Sequence, residues 1–547
     1  MSTSNILNKR KNFASLFEDR VRLHFSYSVP NLPLIGQIKA IPGARFNREK
    51  KFWTIPITKF GILKAKELGF VPTGRVEGWL KEHDVALDND IVISGLKKTL
   101  FPFQHKGVQF LESQKGRALL ADEQGLGKTI TALAYLQLHP ELRPAVIVVP
   151  ASLKLNWKQE AEAILTEPNV EVLYGRHSYS TTGDILILNY DILVDWASYL
   201  SSIDVKILIV DEAHFCKSPT VQRTRGLLKL ARTLTDKKII ALTGTPIISR
   251  PIEFFTILNL IAPEIFTSRW EYAKRYCALR HTSFGWDFNG ASNTSELHQL
   301  LTLNGIMLRR TKAQVLPELP NKIRSYVPIE LEKKELENYI KARDDFLNWL
   351  REKGGPEKVV RASGAVALVK IEYLKQLAAR AKLKQSIAWI KDQVEDGSKL
   401  IVFVTHREIM DTLEKEFSKI CVRIDGSTPQ DKRQPIVHEF QTNEKKKIFL
   451  GNIKAAGVGL TLTASSRVAF LELPWTPSDL VQAEDRAHRI GQKDSVNIYY
   501  LLAEKTIDLL IARLLDEKRK IVDAITEGRK TENSALLLTI LKSVTTS

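Results

Sequence analysis

The sequence predicts an α/β protein with two doubly wound parallel-sheet lobes, helical insertions and a small N-terminal α/β module. Three observations lead to this prediction. The chain has 547 residues, more than the roughly 100–200 residues that form one domain. Two separate sets of continuous apolar runs alternate with helical stretches, as buried parallel strands and their crossover helices do. A charge-rich segment without such runs lies between the two sets.

The composition is that of a globular protein with a basic surface. Hydrophobic residues make up 44% of the chain and charged residues 26%, which excludes a mostly disordered chain. The net charge of +18 favours a polyanionic partner, although a merely solvated basic surface would carry the same charge. The cysteines, Cys216, Cys277 and Cys421, are widely spaced, so neither a zinc site nor a disulfide framework is expected.

No contact with a membrane is expected. The sequence contains no run of about 18 apolar residues, and its first residues lack the charged-then-apolar order of a secretory signal. We therefore expect a soluble, intracellular protein that acts as a monomer.

Residues 1–95 are predicted to form the small N-terminal module. The stretch 38–58 favours two strands around a basic turn, because apolar residues flank a run of Arg and Lys. Trp53 lies in the second of these strands. Its role as a core residue of a small domain is favoured over direct stacking on a nucleic-acid base.

The first lobe is predicted over residues 96–325 and the second over residues 396–505. Apolar runs indicate strands of the first lobe at 145–150, 184–188, 206–210 and 238–244, with helices at 129–138 and 155–165. Runs of the second lobe lie at 399–405, 421–427, 447–452, 467–473 and 496–503. Residues 326–395 are predicted to be a helical insertion, broken near 354–356, and residues 506–547 a helical tail.

Residues 121–129, ADEQGLGKT, predict a phosphate-binding loop. Such a loop needs glycines for its tight path, a lysine for the β- and γ-phosphates, and backbone N–H groups at a helix N-terminus. The usual pattern has its first glycine where this chain has Asp122. The candidate nucleotide-binding residues of the loop are Asp122, Gly125, Leu126, Gly127, Lys128 and Thr129.

The run ILIVDEAH at 207–214 predicts the catalytic carboxylates. Asp211 and Glu212 follow a buried strand, where one carboxylate can hold Mg²⁺ together with Thr129 and the other can polarise the attacking water. His214 is expected to sense the γ-phosphate. DEAH alone would also suit an ordinary helix N-terminus, but this alternative is weak after a phosphate loop and a buried strand.

Arg486 and Arg489 are predicted to deliver cations to the phosphates when the lobes close. Phosphoryl transfer depends on positioning and charge neutralisation, so such cations raise its rate by orders of magnitude. If the segment is helical, the i, i+3 spacing puts both side chains on one face. A salt-bridged surface helix would also suit Arg486 beside Glu484 and Asp485, but it does not explain the match of the segment to the order of motifs given below.

The ordered motifs resemble those of the SWI/SNF-like ATPases of helicase superfamily two. The resemblance covers roughly residues 100–525 and eleven motifs: LFPFQHKGVQFL, DEQGLGKT, VVPASLKLNWKQE, ILNYDIL, DEAH, LTGTP, IMLRRTK, KLIVFVTHRE, IDGST, NIKAAGVGLTLTAS and QAEDRAHRIGQ. It implies RecA-like lobes that hydrolyse ATP with Mg²⁺ and bind DNA. Asp122 in place of glycine is normal in that family.

The resemblance also implies roles that the residues alone did not. Gln104 would recognise adenine, and Thr243, Gly244 and Thr245 would couple the nucleotide state to DNA binding. Arg309 and Arg310, with the basic helical insertion, are similar to the family's accessory elements. Phosphate-backbone contacts or their supports would come from Pro150, Ser152, Lys154, Thr405, His406, Gly457 and Gly459. Such contacts carry no base code, so binding would be sequence-independent and salt-dependent.

The N-terminal module resembles, less strongly, the substrate-recognition domain of HepA-related (HARP) annealing helicases. Residues that match are Ile41, Pro42, Gly43, Arg45, Trp53 and Pro56. The resemblance implies a module that directs the motor to branched DNA.

We therefore expect an ATP-dependent double-stranded DNA translocase that remodels or reanneals branched DNA. Two enzymatic alternatives are a strand-separating helicase and an ATPase that remodels a polymerase–nucleic acid complex. A non-hydrolysing DNA-binding scaffold is an alternative of another class, but the intact Lys128, Asp211, Glu212 and Arg489 argue against it.

Overall fold

The computed structural model describes residues 12–25, 32–82, 91–234, 236, 238–247, 250–282, 285–352, 356–456 and 459–527. Gly457, the glycines at 354 and 355, and the part of the predicted tail beyond residue 527 lie outside the described residues. No helix of the described residues is long and apolar enough to cross a membrane.

The N-terminal module is a five-stranded sheet with helices on one face. Its strands are β1 (Phe13–Phe17), β2 (Arg20–His24), β3 (Arg45–Asn47), β4 (Phe52–Pro56) and β5 (Val71–Pro72), and its helices are α1 (Leu32–Lys39), α2 (Lys59–Glu67) and α3 (Arg75–Glu82). The strand order is β3-β4-β2-β1-β5. The hairpin β3–β4 confirms the two strands around a basic turn. Trp53 is 8% exposed within the module's core, which confirms its structural role.

The first lobe is built on a seven-stranded, wholly parallel sheet. Its strands are β6 (Arg117–Leu120), β7 (Ala145–Val149), β8 (Val170–Val172), β9 (Ile185–Asn189), β10 (Ile207–Asp211), β11 (Lys238–Leu242) and β14 (Met307–Leu308), and a separate hairpin pairs β12 (Arg280–Thr282) with β13 (Gly285–Asp287). Its helices are α4 (Pro102–Ser113), α5 (Lys128–Leu138), α6 (Lys154–Ile164), α7 (Leu193–Ser202), α8 (Gln222–Thr233), α9 (Phe255–Ile261), α10 (Arg269–Tyr276), α11 (Thr294–Leu303) and α12 (Lys312–Val315).

The order of these strands brings the motifs together. The sheet runs β14-β6-β11-β10-β7-β9-β8. The phosphate loop follows β6, LTGTP continues from the end of β11, and DEAH begins at the end of β10. Because parallel strands end at the same edge of a sheet, the three motifs lie side by side at the carboxyl edge, where ligands of such folds bind.

The second lobe has a six-stranded parallel sheet in the order β15-β20-β19-β16-β18-β17. Its strands are β15 (Lys322–Ile329), β16 (Leu400–Val404), β17 (Cys421–Ile424), β18 (Ile448–Asn452), β19 (Arg467–Phe470) and β20 (Val496–Ala503). The helices of this part are α13 (Lys333–Glu352), α14 (Pro356–Ala381), α15 (Leu383–Glu395), α16 (Arg407–Glu416), α17 (Gln430–Thr442), α18 (Ile453–Ala456), α19 (Pro477–Glu484) and α20 (Ile507–Glu527). Two parallel sheets confirm the predicted fold class.

Strand β15 corrects the predicted start of the helical insertion. The insertion was predicted from residue 326, but β15 runs through Ile329 and the first insertion helix begins at Lys333. β15 is the edge strand of the second sheet and pairs with β20, so most of its residues are partly or fully exposed and carry no apolar run. A pattern search for buried strands therefore misses it.

Two further contacts tie the parts of the molecule together. Helix α20, predicted as a tail, contributes Leu514 and Leu515 to the second lobe's core and Ile521 and Ile525 to the first lobe's core. The N-terminal module docks on the first lobe through Phe60, which is 2% exposed in that lobe's core. Helix α20 thus bridges the two lobes on either side of the cleft.

Candidate nucleotide site between the lobes

The phosphate loop has the backbone that its glycines permit. Gly125 and Gly127 have φ angles of +87° and +79°, in the left-handed region that other residues rarely adopt. Helix α5 begins at Lys128, so the loop runs into a helix N-terminus. The Lys128 ammonium donates to the carbonyl oxygens of Asp122 at 2.8 Å and Glu123 at 3.3 Å. Burial lowers the pKa of Lys128, and the nearby carboxylates oppose that effect.

Asp122 has a supporting role that explains why a carboxylate stands at the glycine position. Its two oxygens accept hydrogen bonds from Arg310, from Nε at 3.0 Å and from Nη2 at 2.5 Å. This bidentate pair joins the start of the loop to the end of β14. The carboxylate of Asp122 is therefore committed to Arg310, and it is the Asp122 carbonyl that contacts Lys128.

Gln104 lies against the loop from helix α4. Its side chain is 3% exposed, and its Nε2 donates to the Leu126 carbonyl at 3.3 Å. A methyl group built on Gly127 would overlap the Gln104 amide, so a glycine is required there. The structure places Gln104 against the phosphate loop. Its recognition of adenine stays a prediction.

Asp211 ends β10 and is fixed by two donors. Its Oδ2 accepts from the Trp157 indole at 2.7 Å and its Oδ1 from the Glu212 N–H at 2.8 Å. Burial raises the pKa of Asp211, and the neighbouring Glu212 charge raises it further. Trp157 was not predicted as a site residue, although it stands inside the motif VVPASLKLNWKQE.

Glu212 occupies a strained position that turns its side chain into the cleft. Its φ is +47°, which is unusual for a residue with a side chain. Gln124 donates to Oε1 at 3.2 Å, and His214 Nδ1 lies 3.2 Å from Oε2, an atom without a well-aligned hydrogen bond among the described residues. Burial acts to raise the pKa of Glu212, but His214 and Lys128 outweigh it and lower that pKa.

A chain of side chains links the DEAH motif to the second lobe. His214 Nδ1 lies 3.0 Å from the Thr243 hydroxyl, which also accepts the Thr245 N–H at 3.1 Å. The Thr245 hydroxyl in turn receives hydrogen bonds from Ser478 at 2.9 Å and Gln482 at 3.4 Å, both on α19. The residues predicted to couple nucleotide state to DNA binding therefore form a direct contact between the lobes.

Gly244 lies in the same motif beneath Gln124. A methyl group on Gly244 would lie 2.7 Å from the Gln124 side chain. The glycine therefore permits Gln124 to reach Glu212. Sequence analysis did not identify Gln124, although it is only 8% exposed and lies within the phosphate loop.

Arg489 lies against the phosphate loop from the second lobe, with Arg486 nearby, but neither arginine stands on a helix. Helix α19 ends at Glu484, so the helical face considered for the two arginines is not present. Both side chains instead donate to the Leu460 carbonyl, Arg486 at 3.3 Å and Arg489 at 2.9 Å. A methyl group built on Gly125 would lie 3.3 Å from Arg489 Nε.

The two guanidinium groups are buried or partly buried, and the charges of Glu212, Asp485 and Glu160 act on them from a distance. Among the described residues, neither forms an ion pair with a carboxylate, and their hydrogen bonds go to neutral oxygens. Burial and the neighbouring charge of Arg489 together lower the pKa of Arg486 to about 9, and the charges of Glu212 and Asp485 oppose them. An anion placed between Gly125 and these arginines would relieve this unfavourable electrostatic free energy.

A buried ionic network holds the arginine segment in place. Glu484 and Asp485 are at most 1% exposed, and they bind Lys322 at 3.0 and 2.9 Å. Arg324 adds a bidentate pair with Glu484, with Nε and Nη2 at 3.0 and 2.6 Å from its oxygens. Burial raises the pKa of Glu484, but Lys322 and Arg324 outweigh it and lower that pKa to about 2. The alternative of a salt-bridged surface helix is thus wrong, because these ion pairs are buried.

Lys312 extends this network across the cleft. It is 3% exposed, and its ammonium lies 3.0 Å from Asp485 Oδ1 and donates to the His488 carbonyl at 2.6 Å. Its backbone N–H donates to Glu123 Oε2 of the phosphate loop at 2.7 Å. One residue therefore joins the loop to both flanks of Arg486. Its position beside Arg309 and Arg310 was the only sequence signal for it.

The candidate backbone contacts of the first lobe lie between β7 and α6. Pro150 is buried and Ser152 partly exposed, while the Lys154 ammonium donates to the Leu173 carbonyl at 3.1 Å and lies 4.0 Å above the Tyr174 ring. Lys154 therefore supports this segment rather than projecting freely from it.

The candidate contacts of the second lobe lie after β16 and around Gly459. Gly459 has a φ of +76°, and a methyl group there would lie 2.6 Å from Leu153, so the lobes meet closely at this point. The N–H groups of Thr405 and His406 donate to Glu472 at 2.8 and 2.9 Å. The His406 ring is held between Glu372 and Glu472, which raise its pKa to about 9. In this arrangement His406 supports the segment.

Two protein-family models match the chain. The SNF2-related domain matches residues 103–385, and the helicase conserved C-terminal domain matches residues 378–491.

Several curated proteins are similar over most of the chain. The DNA annealing helicase and endonuclease ZRANB3 of Mus musculus is 37% identical over 465 residues, which cover 81% of this chain and 42% of that protein. The SWI/SNF-related matrix-associated actin-dependent regulator of chromatin subfamily A-like protein 1 of Xenopus laevis is 35% identical over 444 residues, 80% of this chain and 45% of that protein. The homologue of the latter in Caenorhabditis elegans is 32% identical and covers 94% of this chain and 76% of its own length. The chain spans less than half the length of the first two relatives.

Among solved structures, the Sulfolobus solfataricus SWI2/SNF2 ATPase core in complex with dsDNA is 24% identical. It covers 80% of this chain and 96% of its own, with a TM-score of 0.40.

Proposed function

The chain belongs to the SNF2-related family, whose members hydrolyse ATP, and from that premise we propose that it is an ATP-dependent translocase on double-stranded DNA that remodels or reanneals branched structures. In this proposal residues 1–95 form a HARP-like recognition module, 96–325 the ATP-binding lobe, 326–395 the insertion, 396–505 the second lobe and 506–547 a C-terminal helix. The printed name of the ZRANB3 relatives, DNA annealing helicase, supports branched DNA as the substrate.

One observation carries the proposal: Arg489 of the second lobe, without a carboxylate partner among the described residues, lies against Gly125 of the phosphate loop of the first, and Arg486 shares its Leu460 acceptor. Positive charge aimed at a phosphate-binding loop stabilises the charge that develops on a transferred phosphoryl group. Because the arginines and the loop belong to different lobes, hydrolysis requires lobe closure. Each cycle of closure and opening can then move one lobe along the duplex.

Each site residue has a role in this proposal. Lys128 neutralises the β- and γ-phosphates, Glu212 polarises the attacking water, and Arg486 and Arg489 complete the site at closure. The depressed pKa of Glu212 supports this assignment, because it keeps the carboxylate ionised near neutral pH. Thr243, Gly244 and Thr245 transmit the state of the site to α19 through the hydrogen bonds to Ser478 and Gln482.

The residues present fit a nucleotide-bound Mg²⁺ rather than a metal held by protein alone. No group of three or more His, Cys, Asp or Glu side chains within the described part of the chain could hold a metal ion. Glu212 Oε2 is a buried oxygen without a well-aligned hydrogen bond, and Asp211 and Thr129 lie at the same edge of the sheet. Asp211 and Thr129 would hold the ion, which would neutralise phosphate charge when bound.

The test compares ATP hydrolysis across nucleic acids. We expect duplex and forked DNA to stimulate hydrolysis more than single-stranded DNA or RNA, and the chain to displace the third strand of a triplex while it translocates. Arg489→Ala should lose stimulated hydrolysis, whereas Arg380→Ala should retain it, because Arg380 is 45% exposed in a surface ion pair with Glu408. A chain without any ATP hydrolysis would be the scaffold alternative, and separation of plain forked strands without triplex displacement would favour the helicase alternative.

A further inference from the structure

The register of the N-terminal sheet separates its side chains into two sets. In the paired rows, Leu23 and Val21 of β2 lie beside Trp53 and Ile55 of β4, and the residues between them point to the opposite face. The first set belongs to the module's core. The second set is named here the open face: Phe13, Ser15, Phe17, Arg20, Arg22, His24, Arg45, Asn47, Phe52 and Thr54.

Every described helix of the module packs on the side away from the open face. Ile38 of α1, Ile62 and Ala65 of α2, and Val76 of α3 all belong to the core cluster of the first set. The first lobe is contacted from the same side, through Phe60 of α2 and the Ala40 carbonyl after α1. The open face is thus turned away from the motor, and no described helix covers it.

The open face combines stacked rings with cations. Phe13, 40% exposed, stacks on His24 with ring centroids 4.0 Å apart and planes 10° apart. The Arg22 guanidinium lies 4.2 Å above the Phe52 ring, which is itself only 4% exposed. It forms no hydrogen bond or ion pair with any described residue, and its Nε is buried without a partner. The Lys50 ammonium lies 4.7 Å from the Phe17 ring.

The charge of this face has one sign. Its strand positions include three arginines and no carboxylate, and the nearest acidic residues in sequence, Glu18, Asp19 and Glu49, lie in the turns. An arginine that lies over an aromatic ring and has no carboxylate partner among the described residues is suited to a ligand that offers both a planar surface and an anion. Unpaired nucleotides offer both, whereas a duplex hides the faces of its bases.

We propose that the open face binds a single-stranded nucleic acid, with a base stacked on the Phe13–His24 pair and phosphates beside Arg20, Arg22 and Arg45. The site gives the translocase a grip on the unpaired arm of a branch. It rests on the proposed function for the source of that strand, a displaced DNA arm.

The test uses the full chain and a matched pair of double variants. Phe13→Ser with Arg22→Gln removes one exposed ring and one ring-bound cation from the open face. Phe46→Ser with Lys39→Gln removes an equally exposed ring, 41%, and a cation 5.9 Å from the Trp53 ring, both on the helix side. Thermal unfolding of both variants shows whether the module remains folded.

Binding is measured by fluorescence anisotropy with a short single strand of DNA, a matched strand of RNA and a duplex. We expect the open-face variant to bind both single strands roughly ten-fold or more weakly, since each stacked base contributes substantially to such affinity. The helix-side variant should stay within about two-fold of the unmodified chain. A DNA strand with a fluorescent base analogue should lose its stacking signal only in the open-face variant. Weaker binding of DNA than of RNA would identify RNA as the better ligand.

Equal single-strand affinity in the two variants would overturn the proposal, as would an unchanged stacking signal in the open-face variant. A face used by a protein partner would give that result. The outcome is separable from the proposed function, because duplex-stimulated ATP hydrolysis by the unmodified chain tests the motor alone. A chain that does not hydrolyse ATP could still show the difference in single-strand affinity between the two variants. Conversely, a chain that hydrolyses ATP on duplex DNA could show no such difference.

Discussion

Replacement of Lys312 by methionine should slow ATP hydrolysis without preventing ATP binding. The side chain keeps its length but loses the charge that lies 3.0 Å from Asp485 and the hydrogen bond of 2.6 Å to the His488 carbonyl. Loss of one partner from a buried ion pair costs about 3–5 kcal/mol. Asp485 retains Lys322 at 2.9 Å, so the smaller figure for a hydrogen bond to a charged group, about 1.5–3 kcal/mol, applies.

The loss of these Lys312 contacts is expected to destabilise the closed arrangement of the lobes. Lys312 belongs to α12 of the first lobe, and Asp485 and His488 lie in the second, so these contacts hold the arginine segment against the phosphate loop. Because about 1.4 kcal/mol changes a rate tenfold, kcat should fall roughly 10- to 150-fold. The KM for ATP should change little, since Lys312 is not a candidate nucleotide contact.

The assay is steady-state phosphate release with saturating duplex DNA. Lys382→Met is the matched control, because Lys382 is a 1%-exposed lysine paired with Asp508 at 2.5 Å, away from the cleft. Both variants should unfold at lower temperature, but only Lys312→Met should lose kcat. Asp485→Asn should enlarge the Lys312→Met defect, because it also removes the ion pair of Asp485 with Lys322 at 2.9 Å. A kcat within two-fold of the unmodified chain, or an equal loss in the control, would refute the positioning role.

Lys128→Ala and Arg489→Ala should each abolish DNA-stimulated hydrolysis while duplex binding in a gel-shift assay is largely retained, and full turnover by either variant would contradict the assignment. Glu212→Gln should bind ATP but release phosphate about 10²–10⁴-fold more slowly, since it removes a general base; normal steady-state release would exclude that role. Two carboxylates raise the pKa of His406 from 6.5 to about 9, so its contribution to stability is complete below pH 6.5 and is lost as pH rises through about 9. The free energy of unfolding, measured with urea, should fall over that pH window more for the unmodified chain than for His406→Gln. If the two proteins gave parallel pH profiles, a protonated His406 ring would be excluded.

Much of the fold was predictable because its central strands are encoded locally. Buried parallel strands such as 207–211 and 400–404 are continuous apolar runs, and each ran within about two residues of its prediction. Short strands were missed, since β14 and β8 have two and three residues, and so was β15, whose exposed side chains carry no apolar run. Pairing with a distant strand defines such edge elements.

The residues of the candidate site also fall into those that a local motif identifies and those that only contacts distant in sequence identify. Gly125, Gly127 and Lys128 were identified because a phosphate loop is a contiguous motif with a local backbone requirement. Gln124 and Lys312 were not, because their importance lies in contacts with Glu212, Asp485 and His488, which come from other parts of the chain. Asp122 was identified for the nucleotide, but its carboxylate binds Arg310, 188 positions away.

The sequence by itself determined the two α/β lobes, the order of the motifs and the chemistry that each motif can perform, because strand burial and loop backbone depend on neighbouring residues. The tertiary structure alone decided that Arg489 faces Gly125, that Thr245 meets Ser478 across 233 positions, and that one sheet face of the N-terminal module is left uncovered by described helices. These features depend on how whole elements pack, since the burial of large apolar surfaces brings together residues that no local pattern connects.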